Sequence, residues 1–62
     1  MTYRELAQKA IEQEQQCRFG AAAQFWIAAH KVAQKKDNQE WAAKRAIYCS
    51  RRHSRPTLSE AA

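Results

Sequence analysis

Glycine and proline are nearly missing from this 62-residue chain; Gly20 and Pro56 each stand alone. A hairpin-built all-β fold needs such residues at every turn, so that class is excluded. Cysteine is scarce, with only Cys17 and Cys49, short of the four or more that staple small secreted domains. No run approaches the roughly 20 apolar residues of a membrane span. The opening Met1-Thr2-Tyr3-Arg4-Glu5-Leu6 lacks the basic-then-apolar layout of a secretory signal. The expected setting is therefore the reducing cytoplasm, with no membrane partner. Acidic residues are few, six against eleven Lys and Arg, for a net charge of +5. Large apolar side chains are few as well, because 13 of 28 apolar residues are alanine and only 15 remain to build a core. A domain near 60 residues buries only about 60% of its unfolded surface, so a second chain would add needed stability. The length allows one domain and excludes a doubly wound nucleotide-binding sheet, a barrel or a deep substrate pocket; an enzyme is not expected.

What remains is rich in Ala, Gln, Glu, Lys and Arg, all good helix formers. Thr2 and Glu5 have the spacing of a capping box, and Tyr3, Leu6, Ala7, Ala10, Ile11 and Cys17 recur at helical spacing, predicting a helix over 3–17. Gly20 is the expected turn. A second helix over 20–36 carries the stripe Phe19, Ala22, Ala23, Trp26, Ala29, His30, Ala33 and an adjoining set Ala21, Phe25, Ala28, Val32. Together these cover more than half of its circumference, so it is central or shares one face with a partner. Lys31, Lys35 and Lys36 are expected at its C-terminal end, where the helix dipole favours cations. Asp37 and Glu40 suggest a second cap. They open a third helix over 38–52, with Trp41, Ala42, Arg45, Ala46, Tyr48 and Cys49 on one arc and Ala43 and Ile47 opposite. Pro56 should end it. The prediction is an all-α domain over 1–53, a helical hairpin with a third helix packed across it, followed by a disordered basic and polar tail over 54–62.

Few residues could carry chemistry. Cys17, His30, Cys49 and His53 lack the knuckle spacing of a zinc site. Nothing orients a Cys–His nucleophile, and both thiols lie on apolar stripes, where the thiolate is disfavoured. No metal, cofactor or catalytic residue is predicted. The charge is asymmetric: residues 1–43 carry +1 and residues 44–62 carry +4. Lys44, Arg51, Arg52 and Arg55 could thus contact nucleic acid from the third helix and tail. Against this, a recognition helix usually reads bases from its N-terminal part, which here holds Glu40. Glu14 and Arg45 each interrupt an apolar arc, and we expect them to meet as a partly buried ion pair that sets helix register.

The spacing Phe19-x2-Ala22-x3-Trp26-x2-Ala29 resembles the second half of a tetratricopeptide repeat, which locks two antiparallel helices. A longer pattern adds Asn38-x2-Trp41-Ala42-x2-Arg45-x2-Tyr48-Cys49. Together with Tyr3, Ala7, Ala10 and Glu14, it resembles the ANR family, the AraC negative regulators of Gram-negative bacteria, over about residues 3–52. Gly20 here follows the aromatic Phe19, where that family's glycine would stand slightly before it. The resemblance implies a small cytoplasmic repressor, often tied to virulence regulons. Such a protein binds an AraC/XylS-type activator directly and blocks its dimerisation or DNA binding.

The motif residues Phe19, Ala22, Trp26, Ala29, Asn38, Trp41, Ala42, Arg45, Tyr48 and Cys49 are expected mostly to hold the fold, so that Trp41→Ala would cost about 3–5 kcal/mol. Phe25, Ala28, Val32, Ala43 and Ile47 are left over as candidate interface residues. They would face the activator or a second copy of the chain, since a homodimer or higher oligomer is expected.

Overall fold

The computed structural model describes residues 1–54 and contains three helices, α1 (Tyr3–Gln15), α2 (Phe19–Val32) and α3 (Lys36–Ser54). The all-α, three-helix class expected from the sequence is the class found. The tail assigned to 54–62 lies outside the described residues except for Ser54, which closes α3.

The capping box is formed: the Glu5 amide donates to Thr2 Oγ1 (3.3 Å), and the Thr2 amide donates to Glu5 Oε1 (2.9 Å). At its other end α1 stops two residues before the expected boundary. The Cys17 amide donates to the Glu14 carbonyl (2.9 Å) and the Arg18 amide to the Gln13 carbonyl (2.8 Å). This double closure is a Schellman motif, whose pivot residue adopts a left-handed backbone. The pivot is Cys17, at φ 62°, not Gly20. Cys17 therefore leaves the apolar arc of α1 and stands exposed in the turn.

Gly20 lies instead in the first turn of α2. It makes room for α3, since a Cβ there would sit 2.9 Å from Cε1 and Nδ1 of His53. α2 ends at Val32, four residues earlier than expected, where Ala33 turns to extended backbone. Lys36 thus opens α3 rather than closing α2. The cap expected of Asp37 is not made, because Asp37 is already inside the first turn of α3, where its charge suits the helix dipole. Gln39 ties this junction: its Nε2 donates to the Ala33 carbonyl (2.9 Å), and its own carbonyl accepts from His30 Nδ1 (2.9 Å).

Short connections between helices enforce antiparallel neighbours. α2 packs against α1 on one side and α3 on the other, so it is the central element. Among the described residues, seven of the ten that are buried are alanines (10, 22, 23, 29, 33, 42 and 46), with Leu6, Trp26 and Cys49 completing the core. Small side chains let the helix backbones approach closely around one buried indole, that of Trp26. Phe25 and Ala28, expected at an interface, are half-buried and packed against this core. The middle of their stripe is covered because α2 packs against both other helices, while Ala21 and Val32 at its ends stay exposed. Ile11, assigned to the inner arc of α1, is 39% exposed.

Candidate functional site

The three helices converge on one carboxylate. Glu14, on α1, accepts from Trp26 Nε1 on α2 (2.6 Å) at Oε2. From α3 it accepts Arg45 Nη2 at Oε1 (2.5 Å), and Arg45 Nε (3.1 Å) and Cys49 Sγ (3.3 Å) at Oε2. Glu14 and Arg45, singled out as misplaced charges, therefore meet in a two-pronged ion pair. The Glu14 side chain is 12% exposed and that of Arg45 is 32% exposed. Burial opposes the charge on Glu14, but the hydrogen bonds from Arg45, Trp26 and Cys49 outweigh it and hold the carboxyl below its ordinary range. Its hydrogen bond to Glu14 raises the Arg45 guanidinium. Burial, reinforced by the neighbouring Glu14 carboxylate, pushes the Cys49 thiol up to about 12. Cys49 is thus a neutral donor near pH 7 and no nucleophile.

A ladder of rings and guanidinium groups runs along α3 from this junction. Arg45 Cζ lies 5.8 Å from the Trp41 ring centroid and 4.4 Å from that of Tyr48. Arg52 Cζ lies 5.6 Å from Tyr48 and 4.6 Å from Phe19 on α2. Trp41 meets Trp26 edge-on at 6.4 Å, and Phe19 meets Tyr48 edge-on at 6.4 Å. Trp41, Arg45, Tyr48 and Arg52 recur at 4-3-4 spacing, a single helical stripe. That alternation of ring and cation was a readable signal that the arc assignment passed over.

The motif residues accordingly divide. Ala22, Trp26, Ala29, Ala42 and Cys49 are buried, while Phe19, Asn38 and Arg45 are half-buried. Trp41 is 52% exposed and Tyr48 41% exposed, which corrects their placement in the core. They flank the buried Ala42 and Cys49 and cover Arg45 rather than fill the interior. Of the remaining interface candidates, Ile47 is 54% and Val32 42% exposed, and Ala43 is half-buried. Lys44 and Arg51 are exposed, Arg52 is engaged with rings, and Arg55 lies outside the described residues.

Two surfaces follow. A cleft between α1 and α3 is lined by Ile11, Glu14, Gln15, Trp26, Trp41 and Arg45. On the outer side of α3, one shallow groove is lined by Lys44, Ile47, Tyr48, Arg51 and Arg52. A second is lined by Ile27, Ala46, Ile47, Ser50 and Arg51. Cys17, His30, Cys49 and His53 do not converge, and among the described residues no three His, Cys, Asp or Glu side chains are grouped to hold a metal ion. No helix among them is long and apolar enough to cross a membrane.

No family model and no solved structure matches the chain. An uncharacterised protein in the Mu-like prophage FluMu region of Haemophilus influenzae (strain ATCC 51907 / DSM 11121 / KW20 / Rd) is 37% identical over 58 residues, spanning 94% of this chain and 78% of the relative. At that identity and coverage, the chain belongs to the same protein family as this FluMu-region protein.

Proposed function

We propose that this protein is a negative transcriptional regulator that acts by binding an AraC/XylS-type activator and blocking its dimerisation or DNA binding. The observation that carries this reading is the arrangement of the residues resembling the ANR family. Phe19, Trp26, Trp41, Arg45, Tyr48 and Cys49 connect to one another through Glu14 and through ring contacts, with Trp41 exposed at the α1–α3 cleft and Tyr48 exposed beside Ile47. Half-exposed aromatic side chains held in place by stacked guanidinium groups are the residue types that anchor protein interfaces. A relative within a Mu-like prophage region of a bacterium suits a small bacterial regulator. The protein works as a binding module, without cofactor or catalysis.

The test combines gel shifts with pull-down. Purified protein, added to an AraC/XylS activator from the same host, removes the shift that the activator gives with its promoter. Alone, it leaves that DNA unshifted at physiological salt. A shift by the protein alone, falling steeply with salt, would instead assign Lys44, Arg51, Arg52 and Arg55 to phosphate contacts. Sedimentation of the free protein determines whether the working unit is a homodimer.

A further inference from the structure

We infer that the outer face of α3, built from Lys44, Ile47, Tyr48 and Arg51, docks an acidic amphipathic helix of the partner. The four residues stand at i, i+3, i+4 and i+7, one stripe along a helix. Ile47 and Arg51 belong to both grooves, so they form a ridge with a furrow on each side. Ile27 and Ala46 extend the apolar floor toward α2.

The charge on this face selects the occupant. Lys44, Arg51 and Arg52 line the grooves, and among the described residues no carboxylate does; Glu40, the nearest described acid before this stripe in sequence, stands one turn before Lys44. Arg45 is neutralised by Glu14, and Arg52 rests on Phe19 and Tyr48. Lys44 and Arg51 have no acidic partner among the described residues. An occupant with apolar residues at helical spacing straddles Ile47, and its flanking carboxylates reach these two cations. A second copy presenting the same face would set like charges against each other. Duplex DNA would meet Ile47 and Tyr48 at the centre of the face, where phosphate contact needs cations. The identity of the partner rests on the activator reading above; the chemistry of the face does not.

The probe is a 16-residue helical peptide with leucines at three- and four-residue spacing flanked by glutamates. Its control carries lysine at every glutamate. The full chain, 15N-labelled, is titrated with each while amide shifts are followed. The acidic peptide moves the amides of residues 44–51 and binds at least tenfold tighter than the control. Lys44→Glu with Arg51→Glu reverses that preference. Ile47→Asp weakens acidic-peptide binding at least tenfold with helical circular dichroism unchanged. Equal binding of the two peptides would overturn the assignment, as would shifts confined to the Ile11–Trp41 cleft, or full binding by Ile47→Asp. So would a 20-base-pair duplex that moves the same amides more strongly than the peptide, or a self-dimer that Ile47→Asp dissolves. Activator capture that survives both variants overturns this face and leaves the regulator reading standing. Peptide binding at this face by a protein that captures no activator does the reverse.

Discussion

Glu14 has a hydrogen-bonding partner on each of the other two helices, and this concentrates stability on one side chain. Removing one member of this partly buried pair leaves the other charge uncompensated, at a cost of about 1–3 kcal/mol because Arg45 keeps a third of its side chain in water. Glu14→Gln and Arg45→Met should each approach that loss in urea denaturation. The double variant should lose clearly less than the sum, with a coupling above about 1 kcal/mol. Additive losses would show that the pair contributes nothing as a pair. Trp41→Ala should cost only about 1–2 kcal/mol, less than the ~3–5 kcal/mol of a core aromatic, because half of its indole already meets water. The pair was legible in the sequence because a charge on an apolar arc is anomalous whatever the fold. The contributions of Trp26 and Cys49 were not, since both residues are at home in a core and only convergence in space reveals their donors.

Among the elements, the α1–α2 connection departs most from expectation. A lone glycine draws the turn toward itself in any sequence reading, yet the left-handed position falls on Cys17, and Gly20 serves the crossing with His53. Periodicity could not separate these roles, because both positions border the same short connection and close packing of α3 is a tertiary fact. The strain is testable. A non-glycine residue in the left-handed region gives up about 1–2 kcal/mol, partly offset by the greater freedom that glycine brings to the unfolded chain. Cys17→Gly should therefore stabilise by about 0.5–1 kcal/mol, raising Tm by several degrees for a domain of this size. An unchanged or lower Tm would mean that the Cys17 side chain makes a favourable contact that offsets the strain. The boundary errors at α2 and α3 have a related origin: Ala33 and Lys36 are compatible with helix, and the Gln39 contacts that set the junction, nine and six residues apart, leave no mark on apolar periodicity.

For the whole molecule, the all-α class was readable from composition, since almost nothing else could be built without turn residues, and the number of helices from capping and periodicity. The allocation of faces was not, because it depends on α2 having neighbours on both sides. That allocation took Phe25 and Ala28 out of the exposed apolar surface and added Trp41 and Tyr48, while Ile47 and Val32 are exposed as expected. It also makes global stability answer to pH through the junction. The carboxyl of Glu14 is lower in the folded chain than in the unfolded one, where it sits near its ordinary value of about 4.3. Its contribution is therefore complete above that value and is lost as the pH falls through the folded-state value. The urea midpoint should hold above pH 5 and decline toward pH 3, with a shallower decline in Glu14→Gln. Parallel declines would place the acid sensitivity elsewhere, such as Glu5 in its capping box, whose carboxyl is also lowered, chiefly by the Thr2 backbone amide.

Tyr48 does two things at once: its ring roofs Arg45 and its edge belongs to the outer groove of α3. Whatever covers that ring also withdraws the guanidinium from the water that screens it. The Arg45–Glu14 attraction then acts through a medium of lower dielectric and strengthens. Occupancy of the surface and the ion pair of the interior are consequently linked, so a partner that covers Tyr48 also sets the balance between desolvation of Arg45 and its attraction to Glu14.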